Sequence, residues 1–360
     1  MLRIETITNI EDFGRIREMW NEFIRHYFPW AYFFDHDWLV KWIRAYLQEP
    51  RIFVFLVYDG QTLIGAVPLY IGKENFSGFP ISRLALLGMG YGVEDLPIAG
   101  RHQEVLDLLF ATINKTFRWH LANFSRFTPE FANSIAGIAH NRNIHIEERD
   151  IVNPVVRIEG TYADYFSGRS KNFRANVRKK TNRINSWGKM TVVHNDTSDL
   201  AALIGKVEAI GKESWQGEKG VNLAASEQGR RFLHDMVVNF HARGILDISF
   251  IELNGIPIAY LLGAVLDKTC FAIETAYLTK YFDASPGMLL HLYVLERLFD
   301  EKKVNLIDFG YDAAYKRKWT DDNRPEKQLI LYNNALYPKL IRAVRNSSLY
   351  EKLQNLKKDR

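Results

Sequence analysis

A two-unit α/β protein is what this sequence predicts, and three observations carry that expectation. Two hairpin signals, each a pair of β-branched and aromatic runs around a tight turn, stand at Asp59-Gly60 and Asn254-Gly255. Aligning Gly60 with Gly255 offsets them by 195 residues, about half the chain, as a duplicated unit would. The length of 360 residues, at about 150 per domain, also gives roughly two domains, with a boundary near residues 150–160.

The elements follow in order. Residues 11–26 carry a helical pattern, and an aromatic stretch fills residues 27–38. Asp37 is placed to cap a helix whose apolar side holds Trp38, Val40, Trp42 and Tyr46. Strands flank Asp59-Gly60 within residues 51–72, and a glycine-rich stretch spans residues 88–100. A helix over residues 103–117 and a strand over residues 119–124 complete the first half. The second half repeats this grammar: strand, turn and strand over residues 245–267, then a third strand over residues 270–282. Asp283, Ala284, Ser285, Pro286 and Gly287 break the chain before a helix over residues 288–303 and a short buried strand over residues 304–310. Residues 1–152 and 153–345 are expected as the two units, and residues 346–360 as a polar helical tail.

Composition excludes several classes. Apolar residues at 47% and charged residues at 25% describe an ordinary globular chain, not a disordered one. The longest apolar stretch, Ile256–Leu266, has 11 residues, and a membrane-spanning helix needs about 20. The first twenty residues carry acids and no continuous apolar run, unlike a secretory signal. One cysteine, Cys270, forms no internal disulfide, and the ten histidines show no metal-ligand spacing. A cytoplasmic protein without a metal site is the expectation. Aromatics at 13% fit large side chains filling two cores.

The formal charge of +5 is unevenly spread. Residues 169–183 hold seven cations (Arg169, Lys171, Arg174, Arg178, Lys179, Lys180, Arg183) and no acid. Lys171, Arg174 and Arg178 share one helical face, beside an apolar stripe of Phe173, Val177 and Ile184. That face is either simply solvated or a contact for phosphates, tRNA or an anionic membrane.

The sharpest local feature is strand, then Ser285-Pro286-Gly287, then helix. Proline suits the first helical turn, and the free N–H groups there, expected at residues 287–290, suit a pyrophosphate. The same tripeptide also fits an ordinary self-capped helix start. Downstream, Asp308-Phe309-Gly310 is followed by Tyr315-Lys316, which gathers a carboxylate, a phenol and an ammonium near one strand end. The kinase reading of Asp-Phe-Gly fails, because no glycine-rich phosphate loop, Val-Ala-Ile-Lys lysine or His-Arg-Asp loop accompanies it.

The ordered set formed by the Asn254-Gly255 hairpin, the strand from Cys270, Ser285-Pro286-Gly287, Asp308-Phe309-Gly310 and Tyr315-Lys316 resembles the CelD-type branch of the GNAT acetyltransferases. That branch is often labelled cellulose-biosynthesis acetyltransferase and is related to the Fem aminoacyltransferases. The basic segment from Ser170 to Ile184 resembles the family's arginine-rich helix. The resemblance covers residues 155–335, while residues 1–150 fit only a degenerate sister unit.

The resemblance implies tandem GNAT-like units, each a mixed, largely antiparallel twisted sheet flanked by helices. It implies acetyl-CoA as co-substrate, held at Ser285, Pro286, Gly287, Met288 and Leu289, with transfer of acetyl to an amine or hydroxyl. Glu274 is then the candidate base, Tyr315 the candidate acid, and Asp308 a third catalytic candidate. Arg174, Arg178, Trp215 and Lys316 are candidates for substrate binding. The acceptor implied is a small molecule or an envelope or exopolysaccharide precursor, at a location that is cytoplasmic or peripheral at the inner membrane surface. The superfamily's usual Arg/Gln-x-x-Gly-x-Gly/Ala loop is replaced here by residues 281–287, which keeps two other readings open: an aminoacyl-tRNA-dependent transferase and a non-catalytic binding module.

Overall fold

Alternating apolar runs fold into strands and amphipathic ones into helices, in the order β1 (Leu2–Ile7), α1 (Ile10–Arg15), α2 (Arg17–Tyr27), α3 (His36–Tyr46), β2 (Ile52–Asp59), β3 (Thr62–Phe76), β4 (Phe79–Leu86), α4 (His102–Thr116), β5 (Leu121–Phe127), α5 (Pro129–Asn141) and β6 (His145–Arg157). There follow α6 (Tyr162–Ser167), α7 (Lys171–Asn185), β7 (Met190–His194), α8 (Leu200–Lys212), α9 (Trp215–Glu218), α10 (Glu227–Ala242), β8 (Leu246–Leu253), β9 (Ile256–Leu266), β10 (Thr269–Tyr277), α11 (Pro286–Glu301), β11 (Leu306–Asp308), β12 (Asn323–Tyr332) and α12 (Leu336–Arg345). This computed structural model describes residues 1–47, 51–88, 92, 95–310, 313 and 315–347. Most of the tail therefore lies outside the described residues. No helix among them is long and apolar enough to cross a membrane.

The chain divides into two units, one of Met1–Ile43, Leu47–Ile151 and Pro325–Arg360, the other of Arg44–Tyr46 and Val152–Arg324. The sequence expectation placed residues up to 345 in the second unit; from Pro325 onward they belong to the first. The reason is strand pairing, since β12 runs antiparallel to β5 from Lys327↔Phe127 to Tyr332↔Leu121.

In the first unit the strands lie in the order β1-β2-β3-β4-β5-β12, antiparallel except for β4 and β5. Gly60 at the β2–β3 turn takes φ +60°, a conformation that suits glycine. The aromatic stretch is core: Tyr32, Phe33, Phe34 and Trp38 are each at most 2% exposed. The opening helix is two, because α1 stops at Ile16 before α2 begins. Asp35, not Asp37, caps α3, its side chain accepting the Asp37 N–H at 3.0 Å. Asp37 instead takes a two-point ion pair from Arg17, at 2.7 Å through each nitrogen.

The second unit orders its strands β6-β11-β10-β9-β8-β7, with only β10 and β11 parallel. Asn254 and Gly255 both take positive φ, +52° and +78°, as a type I′ hairpin turn requires. Both units therefore hold a mixed, largely antiparallel sheet with one parallel pair bridged by a crossover helix, α4 in the first and α11 in the second.

Helix α7 is started by Ser170, whose Oγ accepts the Phe173 N–H at 3.2 Å. Ser170→Ala is expected to cost about 1 kcal/mol and lower the melting temperature by about 2–4 °C, whereas Ser170→Thr keeps most of it. Thermal melts of the two variants check this, and an unchanged melt for the alanine variant would contradict it.

Candidate functional site

The site begins where a strand loses its neighbour. Parallel pairing of β10 with β11 covers only Thr269↔Leu306, Cys270↔Ile307 and Phe271↔Asp308. From Ala272 to Tyr277, β10 continues against β9 alone among the described residues, after a bulge between Ala272 and Glu274. The sheet is thus open along one edge of β10, next to the start of α11. Side chains alternate along the strand, so Thr275 and Tyr277 face one side of this opening and Glu274 the other.

The chain leaves β10 through a 3-10 turn, Thr279–Ala284, and Ser285 turns left-handed at φ +50° before Pro286 and Gly287 enter α11. A Cβ at Gly287 would lie 3.3 Å from the Tyr277 ring, so glycine lets the helix start sit close against the strand. The expected row of free N–H groups is largely used. The carbonyl of Ser285 accepts from both Met288 (3.0 Å) and Leu289 (3.2 Å). Pro286 has no N–H, and the Gly287 N–H is the first-turn donor without an acceptor among the described residues. The helix start therefore offers one backbone donor and its dipole, not a ring of donors.

Over this start lies a cavity of ≈ 450 Å³, floored by Thr275, Tyr277, Gly287 and Met288 and walled by Phe173 of α7 and by Trp319. That volume falls in the range of small-ligand sites. Within it, His291 stands one turn after Gly287 and is 4% exposed. Its Nδ1 lies 2.7 Å from the Gly287 carbonyl, which can only accept, so the ring carries its proton on Nδ1 and Nε2 is an acceptor. Burial pushes the imidazole down to about 4, so it is neutral near pH 7. Tyr315 also lines the cavity; burial and the neighbouring Tyr277 phenol raise its pKa.

Among the candidates from the sequence, Ser285, Gly287, Met288, Tyr315 and Trp215 line this cavity. Pro286 is buried at the first helical position. Leu289 is 1% exposed, a core residue that does not line the cavity. Glu274 does not line it either. Its Oε1 accepts the Leu223 N–H at 2.9 Å and its Oε2 is sealed from solvent. Burial pushes this carboxyl up to about 7, against the Leu223 N–H and the nearby Tyr260 hydroxyl, which pull it down.

Asp308 departs from its expected catalytic place. It is 2% exposed, and its Oδ1 accepts from Asn153 Nδ2 (3.0 Å) and the Gly310 N–H (2.7 Å) while Oδ2 pairs with Arg324. A carboxylate so fully engaged holds the end of β11. Lys316 donates to the Phe309 carbonyl at 2.5 Å. Arg174 is turned away from the cavity to the carbonyls of Ser167 and Arg169, closing the end of α6. Arg178 is exposed and outside the cavity lining.

Sequence reasoning missed His291, Thr275, Tyr277 and Trp319. A signal existed for His291: it follows Gly287 by four residues, which puts both on one helical face. In the first unit the equivalent strand is interrupted. There the segment after β4 pairs with β3, Ala66 N–H donating to Pro97 (2.9 Å) and Ala99 N–H to Ile64 (2.7 Å). A larger depression in that unit, ≈ 780 Å³ among Met1, Arg101, Glu104 and Asp107, is shallow and lies among exposed ion pairs.

Residues 171–317 match the family described as acetyltransferase (GNAT) domain. The match spans both sides of the opening, from α7 through β10 and α11 to the segment before Trp319. Solved structures show a likeness of fold over nearly the whole chain. The crystal structure of FemX aligns with a TM-score of 0.58 at 10% identity, covering 94% of this chain and 99% of that one. The C-terminal domain of a putative lysylphosphatidylglycerol synthetase from Agrobacterium fabrum aligns at 0.54 and 11% identity, covering 92% and 96%. A tandem GNAT protein from the clavulanic acid biosynthesis pathway aligns at 0.50 and 12% identity, covering 92% and 98%. At these identities the likeness is one of fold, and the fold is that of tandem GNAT units. No curated protein matches the sequence.

Proposed function

We propose that the second unit transfers an acyl group from a thioester donor, acetyl-CoA, to an amine or hydroxyl. The observation that carries this reading is the cavity at the start of α11, set beside the open edge of β10 within the GNAT-matched residues. The donor's diphosphate would lie at Ser285, Gly287 and Met288, where the helix dipole and the free Gly287 N–H favour an anion. The thioester would sit at the opening between β10 and β11, on the side of Thr275 and Tyr277.

In the step proposed, the acceptor's lone pair attacks the thioester carbonyl and the carbon–sulfur bond then breaks. Glu274, on the far side of β10 and ionising near neutrality, would take the proton lost by the acceptor only where the acceptor reaches its sealed Oε2 through the opening. The thiolate that leaves takes a proton from Tyr315, whose phenol stays protonated in the cavity. His291, neutral, offers Nε2 as an acceptor that orients a donor group of either substrate. The CelD-type resemblance points to an envelope or exopolysaccharide precursor as acceptor.

A second donor, aminoacyl-tRNA, is favoured by the cations of α7 beside the 3-10 turn, where Lys180 donates to the Asp283 carbonyl at 2.5 Å. The test is thiol release from acetyl-CoA over a panel of amines and hydroxyls. Thiol release that depends on the acceptor supports acetyl transfer. Consumption of an aminoacyl-tRNA ester with no thiol release moves the assignment to the second donor, and neither reaction leaves a binding module.

A further inference from the structure

Three large aromatic side chains stand open around the mouth of the cavity in the second unit: Phe282 is 65% exposed, Tyr315 47% and Trp215 41%. Single exposed aromatics are ordinary on any surface, but these three line one cavity and so share one rim. Next to them a depression of ≈ 550 Å³ is lined by Lys179, Lys180, Asn182, Arg183 and Asp283. The two are contiguous through Phe282-Asp283, since Lys180 Nζ donates to the Asp283 carbonyl at 2.5 Å and Arg183 pairs with its carboxylate at 3.4 Å.

Charge on this face is one-sided. Among the described residues that line the two depressions, Lys179, Lys180, Arg183 and Lys318 stand against one acid, Asp283. Lys219 adds an ammonium 5.3 Å from the Trp215 ring, with Glu213 and Glu218 on either side of Trp215 in sequence. An apolar ring, Phe282, beside two rings with polar tips, Trp215 and Tyr315, and lysines on flexible apolar stems suits the boundary between lipid headgroups and acyl chains. Most of the cations are lysines, which act as point charges towards an anionic surface and lack the planar fork that grips a single phosphate in two places.

We propose that this rim docks on an anionic lipid surface, setting the cavity mouth at the headgroups. The docking rests on the acetyl-CoA reading, because an aminoacyl-tRNA donor would take up the same cations of α7. Phe282 enters the interface, Trp215 and Tyr315 lie at headgroup level, and Lys179, Lys180, Arg183 and Lys318 meet the lipid charge. Cosedimentation tests it, using vesicles of phosphatidylcholine alone or with phosphatidylglycerol added, at low and high salt. The wild-type chain is expected to sediment with the anionic vesicles, to stay in solution with the neutral ones, and to be released by salt.

Lys179 and Lys318 are exposed, so replacing both by glutamine keeps the fold while removing two charges. About fivefold weaker partition per cation gives about 25-fold for the pair, the fold-change of about 1 kcal/mol each. Phe282→Ser is expected to weaken partition about tenfold on either salt. Melting curves of the variants confirm that they are folded. Equal sedimentation with neutral and anionic vesicles, none with either, or unchanged partition of folded variants would overturn the proposal. Retention of bulk tRNA in place of vesicles would overturn it in favour of a nucleic-acid surface.

Discussion

Glu274→Gln is expected to lower the acyl-transfer rate by about 10²–10⁴-fold and, at the same time, to stabilise the protein above neutral pH. The two effects share one cause. Burial holds the Glu274 carboxyl protonated up to about pH 7, whereas in the unfolded chain it ionises near the usual carboxylate range. A folded-state pKa raised above the unfolded one favours folding at low pH. That contribution fades as pH climbs from about 4.5 to about 7 and is absent above. The cost at pH 8 is about 3 kcal/mol, and Gln, which never ionises and still accepts the Leu223 N–H, escapes it. Melting curves at pH 5 and pH 8, with rates over the same range, check both halves. The wild-type rate should rise through pH 7 as the carboxylate forms. A variant that keeps the wild-type rate would remove Glu274 as the base, and one with the wild-type pH dependence of melting would remove its raised pKa.

Asp308→Ala is expected to destabilise the second unit by about 3 kcal/mol, roughly 6–12 °C in melting temperature. The carboxylate takes hydrogen bonds from Asn153 and the Gly310 N–H and an ion pair from Arg324. Its removal leaves buried donors without that acceptor and releases the end of β11 that defines the opening. Asp308→Asn should cost less, because the amide oxygen still accepts while only the ion pair is lost. A structural role predicts that folded Asp308→Asn keeps donor binding and rate to within a few-fold. A rate loss as large as that of Glu274→Gln, without a lower melting temperature, would restore the catalytic reading.

The contrast between these two acids shows where the sequence was legible. Both hairpins, the helix after Gly287 and the duplicated grammar could be read, because turn residues and apolar periodicity are local signals. Which strand closes which sheet is not local. β12 pairs with β5, some 200 residues earlier, and no periodicity reports that. The same limit applies to the site. Ser285-Pro286-Gly287 marked the helix start, but the Ser285 carbonyl's use of the Met288 and Leu289 N–H groups depends on the left-handed turn at Ser285.

Side-chain direction was the other blind spot. Arg174 looked like part of a basic face and instead closes α6, because a long guanidinium reaches whichever carbonyls are free nearby. Tyr277 and Thr275 escaped notice because strand alternation selects them only once the covered face is known.

Donor-induced stabilisation of the purified chain tests whether the acyl donor binds at the start of α11. Acetyl-CoA at about 100 times its dissociation constant should add about 2.7 kcal/mol, roughly 5–10 °C for a unit of this size. Gly287→Trp would place an indole against the Tyr277 ring, and Met288→Trp would fill the same cavity from the next position. A shift is expected in the wild type, and both folded variants lose it. A shift of equal size in the variants, or none in the wild type with any acyl-CoA, would contradict it.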